Sequence, residues 1–305
     1  LKNILAVHYS QSGQLSEIMK SVLSTMDVSN DIKVTSLEIK MEEPYPFPWS
    51  KKAFFNVFPE SFLQVPAKIK PIPQSILDQK YDLIVLGYQV WYLSPSIPTN
   101  SFLNLPEVKQ LFSNTPVVTV IGCRNMWAMT HQKVKKLLQA CNAQLVGNIA
   151  LVDRHINHIS VITIVQWMFS GKKERYLKIF PKPGVSAEDI KGASKFGKTV
   201  ANHLQNDNLQ SLNEALLEQK SASISSFLVF ADKRANILFG KWANFIQSKG
   251  EPGGRKRNFW LKMFKFYLLI AIWVIMPIVF ILFLLGYVPF YGAIKKSKQR
   301  IYQLN

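Results

Sequence analysis

At 305 residues the chain is long enough to bury one large core or two modest ones, and its two cysteines, Cys123 and Cys141, exclude a disulfide-built secreted scaffold. The formal net charge is +18, yet residues 1–150 hold 14 Lys/Arg against 10 Asp/Glu while residues 151–305 hold 23 against 9. The basic runs Arg255-Lys256-Arg257, Lys262, Lys265 and Lys295, Lys296, Lys298, Arg300 bracket an apolar segment, an arrangement that points to lipid and away from nucleic acid.

Leu1–Tyr9 gives way too soon to polar residues to be a signal peptide, so Asn3–Tyr9 is expected as a first strand and the globular part is expected in the cytoplasm. Gln14–Met26 carries apolar residues at 15, 18, 19, 22, 23 and 26, a helical period. Ile32–Ile39 alternates as a second strand. Tyr81–Gly87 and Pro116–Gly122 are near-continuous apolar runs, as in strands covered on both faces, and Gln144–Val152 makes a fifth. Helices are expected over Phe102–Phe112, with Pro106 near its start or marking a break, and over His131–Ala140. Strands interleaved with helices build parallel βαβ units, so the fold class is α/β, a doubly wound five-stranded parallel sheet.

His155–Phe169 is mostly apolar but too short to span a bilayer; it reads as a buried or amphipathic helix forming a greasy entrance, or as an interfacial segment. His155 and His158 lack an accompanying Asp, Glu or Cys set, and no metal site is expected. Lys172, Lys173, Arg175 and Lys178 offer a basic face to anionic lipid, an acyl-carrier protein or solvent. Pro181–Gly184 is a turn, and Ser186 caps a closing helix that runs to Leu204. Residues 206–260 form a helical connector, which leaves 1–205 as the ligand-binding domain and 261–305 as an anchor with a short basic tail.

The anchor is Phe266–Pro289, 24 residues without a charge. As a helix it is about 36 Å long, against a hydrocarbon core of roughly 30 Å. Trp260, Phe264, Tyr267, Tyr287, Phe290 and Tyr291 flank it as an interfacial belt does. Pro277 is expected to kink it. Six Lys/Arg in 249–265 against four in 295–300 favour a single pass through the inner (cytoplasmic) membrane with the large domain inside.

Ligands of such a sheet bind beyond the carboxyl ends of the strands, so three loops matter. In Ser10-Gln11-Ser12-Gly13-Gln14, two hydroxyls, a turn-forming glycine and helix N-terminal N–H groups cradle a phosphate, or the serines merely cap the helix. Neither GxGxxG nor GxxxxGK occurs there. In Tyr88–Pro98, the rings of Tyr88, Trp91 and Tyr92 present flat faces to a planar ligand, with the backbone around Gln89 and Val90 at its polar edge, or pack the loop down. In Gly122–Thr130, Gly122, Cys123, Arg124 and Asn125 close over the ligand's polar side, with Met126 and Trp127 as ring contacts. Arg124 reads equally as a surface charge and Cys123 as a structural thiol. His131 is the candidate base, or a cap; His8 is expected to be structural.

On these residues the chain resembles the flavodoxin family over 3–152. Ser10, Ser12 and Gly13 match its T/S-x-T-G-N-T loop, and YDLIVLGYQVWYLSPSIPTNSFL at 81–103 resembles its ring-binding region. Gln14 departs from the usual Asn, and Leu15 from a hydroxyl. The resemblance implies FMN held without a covalent bond. VVTVIGCRNMW at 117–127, WMFSGKKERYLKIFPKPGVSAEDI at 167–190 and the C-terminal span are similar to the flavodoxin-like dialkylresorcinol condensing enzymes of flexirubin-type pigment pathways. That likeness implies FMN-dependent oxidation of a 2,5-dialkylcyclohexane-1,3-dione to a dialkylresorcinol, with a ketosynthase, an acyl-carrier protein and membrane lipid as partners. Acyl condensation itself is not expected, because neither cysteine has an evident base. Two other readings stay open: a membrane-tethered electron carrier or quinone reductase, and a cofactor-free scaffold with a degenerate Gln14-Leu15 turn.

Overall fold

The computed structural model describes residues 1–26 and 31–304. β1 (Lys2–His8) pairs in parallel with β2 (Ile32–Glu38) on one side and β3 (Leu83–Trp91) on the other. A two-residue strand, β4 (Ser94–Pro95), folds back on the end of β3. β5 (Pro116–Cys123) lies beside β3, and β6 (Gln144–Val152) beside β5. The order β2-β1-β3-β5-β6, with the short β4 set aside, is the doubly wound flavodoxin-like arrangement, in which the direction of strand addition switches at the β1/β3 boundary. His8 pairs with Gly87 and Gln89 with Gly122, so the ends of β1, β3 and β5 stand side by side.

Both faces of the sheet are covered, which is why the central strands are apolar throughout. Ile4 and Ala6 face one core with Leu15, Ile18, Met19 and Val22 of the Gln14–Leu23 helix. Leu5 and Val7 face the other with Tyr88, Phe102, Trp127 and Val134, as the two-residue period of a strand requires.

Pro106 does break its helix: Leu105 is extended, as the residue before a proline tends to be, and separates Ile97–Asn104 from Pro106–Phe112. The closing helix is likewise two, Ala187–Gly192 and Ser194–Gln205, with Ser186 accepting from Asp189 N–H at its start. The core continues past residue 205. Leu212 and Leu216 are fully buried against it, and Ser221 C=O takes the N–H of Ala150 at the outer edge of β6.

The C-terminal part is helical: Ser226–Gln247, Arg255–Tyr287 and Tyr291–Tyr302. Arg255–Tyr287 is long and apolar enough to cross a membrane, and only 6% of its most apolar stretch is buried, so it is no core helix. Before Pro277 it widens into a π turn over Ala271–Ile275, where the N–H of Met276 reaches back to Ala271 C=O.

Candidate functional site

A cavity of about 240 Å³ lies where β1, β3 and β5 end, at the switch point where such folds take their ligands. Its first wall is the turn after β1. Gly13 sits at φ +83°, a conformation that glycine adopts without steric cost, and nothing stands within 4 Å of the place its Cβ would occupy. Gly13, the residue before the helix, has no side chain with which to cap it. Ser10 Oγ takes the N–H of Ser16 at 3.3 Å, so one of the first helical N–H groups is engaged, while those of Gln14 and Leu15 have no intrahelical acceptor. Gln11, Ser12 and Gln14 line the cavity.

Two of these side chains are engaged within the protein. Gln11 accepts from Tyr9 OH and donates to the carbonyls of Tyr45 and Pro46 (3.1 and 2.7 Å), while its N–H bonds Gln89 Oε1 at 3.1 Å. Gln14 bonds both backbone groups of Val185. What remains for an anion in this turn is Ser12 and the helix N-terminal N–H groups.

The second wall is a hairpin rather than an open loop, because β3 runs on through Trp91. The chain reverses over Tyr92 and Leu93, both at positive φ (+47° and +59°). Such hairpin turns favour Asn-Gly, and a larger residue there costs on the order of 1 kcal/mol. Packing holds the turn: Tyr92 OH donates to Phe54 C=O at 2.8 Å and its ring lies 5.1 Å from Phe58. Trp91 meets Tyr9, Tyr45 and Trp49 edge-on at 5.2–6.0 Å, and with Gln89, Val90 and Tyr92 it lines the cavity.

Gly122, Cys123 and Arg124 supply the third wall. Arg124 Nη1 donates to Asn157 Oδ1 at 2.5 Å, and Asn125 Nδ2 donates to the same oxygen at 3.1 Å. Burial pulls the Arg124 pKa down, and among the described residues no carboxylate is in ion-pair contact with it. Burial pushes the Cys123 thiol up, away from the thiolate that reacts.

Tyr88, Asn125, Trp127 and His131, four of the expected site residues, do not line the cavity, and neither do Ser10 and Gly13. Tyr88, Trp127 and His131 are fully buried in the core on the Ala128–Ala140 side of the sheet. Tyr88 OH meets His131 Nδ1 at 3.0 Å, and Trp127 Nε1 donates to Ser223 C=O. The strand alternation that sends Gln89 to the cavity sends Tyr88 away from it. Positions 127, 131, 134 and 138 form an inward helical stripe, a signal already present in the sequence. Burial holds the His131 pKa down at about 3, and the residue stands away from the cavity, where the expected base would have to be. Asn125 likewise stands behind Arg124 rather than on the cavity surface. His8 is structural, its Nε2 against Ser16 Oγ at 2.9 Å.

Much of the wall lies outside the three expected loops, part of it in the segment expected as a greasy entrance and part in the 47–57 stretch, which sequence reasoning passed over. Phe47, Trp49, Phe54 and Val57 line the cavity, as do Ile164, Trp167 and Met168 of the Asn157–Ser170 helix. Trp49 N–H donates to Met168 C=O at 2.8 Å and joins the two segments. The density of Tyr45, Phe47, Trp49 and Phe54 within ten residues was the available signal.

Comparison with protein-family models and with curated proteins gives no match. Among solved structures, the chain is similar to a flavoprotein in complex with FMN from Lactobacillus acidophilus NCFM, at 16% identity and TM-score 0.39, over 48% of this chain and 92% of that one. It is also similar to oxidised flavodoxin 1 from Bacillus cereus, at 13% identity and TM-score 0.36, over 66% of this chain and 99% of that one. A flavodoxin from the domain Archaea matches at 10% identity and TM-score 0.36, over 67% of this chain and 99% of that one. The flavodoxin-like fold stands on the strand order itself.

Proposed function

We propose that the chain holds FMN in this cavity and is a membrane-associated redox flavoprotein that exchanges electrons with a hydrophobic quinone- or dione-type reactant. The observation that carries this reading is the cavity's make-up at the switch point. Free helix N-terminal donors and Ser12 beside the open space at Gly13 suit a phosphate, and the Trp91 wall suits a planar ring. Arg124, with only neutral partners in contact, suits the ring's polar edge. When bound, FMN supplies hydride or electron transfer; the protein's part is to hold ring and reactant together and exclude water.

Within this reading an electron carrier or quinone reductase is the simpler form. A narrower form, oxidation of a dialkylcyclohexanedione to a dialkylresorcinol, is favoured by one observation: Trp167, Met168 and Gly184, from the 167–190 stretch that carries that resemblance, line the cavity. The test is the visible spectrum of detergent-purified protein, followed anaerobically during addition of the dione and, separately, of a reduced quinone. Bleaching by the dione with resorcinol formed supports the narrower form. A flavin band that responds only to the quinol supports the quinone reductase. Absence of flavin, with no FMN binding on titration, would sink both in favour of a scaffold.

A further inference from the structure

The Arg255–Tyr287 helix does not stand clear of the domain. At its start Arg257, 1% exposed, grips both carboxylate oxygens of Glu60 (2.8 and 2.6 Å), and Phe264 stacks on Phe58 with centroids 3.7 Å apart. Near its end Phe280 and Phe283 pack on Phe227 at 4.9 and 5.4 Å. Its middle is held as well. Because Met276 N–H turns back to Ala271 and Pro277 has no N–H, the carbonyl of Ile272 loses its helical donor. His158 Nε2, on the cavity-lining Asn157–Ser170 helix, meets that carbonyl at 3.1 Å, and its ring lies against Trp273. A bilayer enclosing the middle of this helix from all sides would have to enclose His158 and Phe227 too.

The chain beyond the helix comes back to the same body. Ile301 is 3% exposed in the core that holds Ile224 and Val229. Tyr302 OH accepts from Ile224 N–H, Tyr302 C=O from Asn213, and Gln303 C=O from Lys135 Nζ at 2.9 Å. Lys233 Nζ reaches Ser297 Oγ at 2.6 Å. Both ends of the apolar segment are therefore tied to the flavodoxin-like domain. Its outward side is a continuous stripe, Phe266, Ile270, Val274, Ile278, Ile281 and Leu285, between 48 and 73% exposed, at the spacing of one helix face. Exposed Lys262, Lys295, Lys296 and Arg300 flank it, the sign that anionic headgroups attract.

We infer that this helix lies lengthwise in one leaflet of an anionic membrane, entering and leaving on the domain's side, instead of passing through. The charge rule gives a crossing helix little support, because its far flank would carry four basic residues against six on the near one; a helix lying in the plane keeps both sets at the headgroups. The inference is independent of flavin binding. It also seats the cavity-lining helix, through His158, against lipid, where a hydrophobic reactant is delivered without crossing water.

The experiment uses the full chain, with Cys123 and Cys141 retained, carrying one added cysteine at a time: Gln210→Cys, on the exposed surface of the domain, and Gln299→Cys, exposed in the returning tail. Intact cells expressing each variant are treated with a membrane-impermeant maleimide, and labelling is read at that peptide by mass spectrometry, with opened cells as the control for reactivity. Both sites labelled, or both protected until the cells are opened, is the expected result. One site labelled and the other protected means that the helix crosses, and overturns the inference. Recovery of the chain in the soluble fraction overturns it too.

Discussion

The side-chain amide of Gln14 closes on both backbone groups of Val185, accepting from its N–H at 3.1 Å and donating to its C=O at 3.2 Å. The bond pair fastens the Pro181–Gly184 turn over the Ser10–Gln14 turn. Contact there is close: a Cβ on Gly184 would stand 2.6 Å from Gln14 Oε1. Asparagine, which the flavodoxin pattern favours at this position, is one methylene too short to span both groups. Gln14→Ala leaves two buried backbone groups unpaired and is expected to cost about 2–4 kcal/mol, with Gln14→Asn in between. Denaturant unfolding of the solubilised chain checks the order; equal stability of all three proteins would remove the amide from this role.

Gly13 gives a sharper test of the site. Alanine meets no neighbour there but must adopt φ +83°, at a cost of about 1–2 kcal/mol. Gly13→Ala is expected to weaken FMN binding about five- to thirtyfold as measured by flavin fluorescence quenching. Gly192→Ala, also with open space but without the positive φ, is the control and leaves binding unchanged.

The sheet was legible because each central strand is apolar on both faces, and the helices because each buries one periodic stripe. The site was legible only in part. Strand ends cannot be placed by hydrophobicity when the strand continues into a hairpin, and Tyr92-Leu93 carries no turn signature. Counting Tyr88 as a loop residue therefore put its ring on the wrong face. The aromatic wall from Phe47, Trp49 and Phe54 is assembled by tertiary contact across more than a hundred residues, through Trp49 and Met168, which no local pattern records. The apolar segment was legible as lipid-seeking, whereas the return of Ile301 and Tyr302 to the core depends on contacts with Ile224 and Asn213.

Two buried groups give the stability–pH curve opposing slopes. Burial raises Asp232 to about 6, against the N–H of Met129 and the charge of Lys133. The folded state then binds its proton more tightly than the unfolded one, so its contribution is present below pH 4 and is lost as pH rises to 6. His131 at about 3 runs the other way: its contribution is present above pH 6.5 and is lost as pH falls through that window. The wild-type curve is therefore expected to be shallow between pH 4 and 6. Asp232→Asn removes one slope and leaves the protein losing about 2–3 kcal/mol as pH drops from 6 to 4, read from urea midpoints. A variant that gains stability over that interval would refute the assignment.

At alkaline pH the same neighbourhood makes a separate prediction. Lys133, close over the Phe62 ring (3.8 Å) and bonded to Ser94 Oγ at 2.6 Å, is pulled down to about 8 by burial. A lysine whose folded pKa is depressed contributes stability above its unfolded value of roughly 10.4 that is lost as pH falls through 8. Relative to Lys133→Met, the wild-type protein is expected to gain stability between pH 8 and 10; an unchanged difference across that interval would assign the alkaline slope to other groups.

On the proposed reading, Arg124 sets which way the cavity biases a bound flavin ring. Its guanidinium lines the cavity and its hydrogen bonds go to Asn157, a neutral residue, so its positive charge is not cancelled by a contacting carboxylate. In a desolvated site such a charge favours the electron-rich form of a bound ring. Arg124→Gln is expected to lower the midpoint potential of bound FMN by tens of millivolts, where about 30 mV corresponds to about 1.4 kcal/mol for a two-electron couple. Arg124→Lys keeps the sign of the charge and is expected to retain most of the potential while loosening the tie to Asn157. Spectroelectrochemical titration distinguishes them: a glutamine variant that binds FMN at the wild-type potential places Arg124 outside the field of the ring and leaves it the part of a loop fastener.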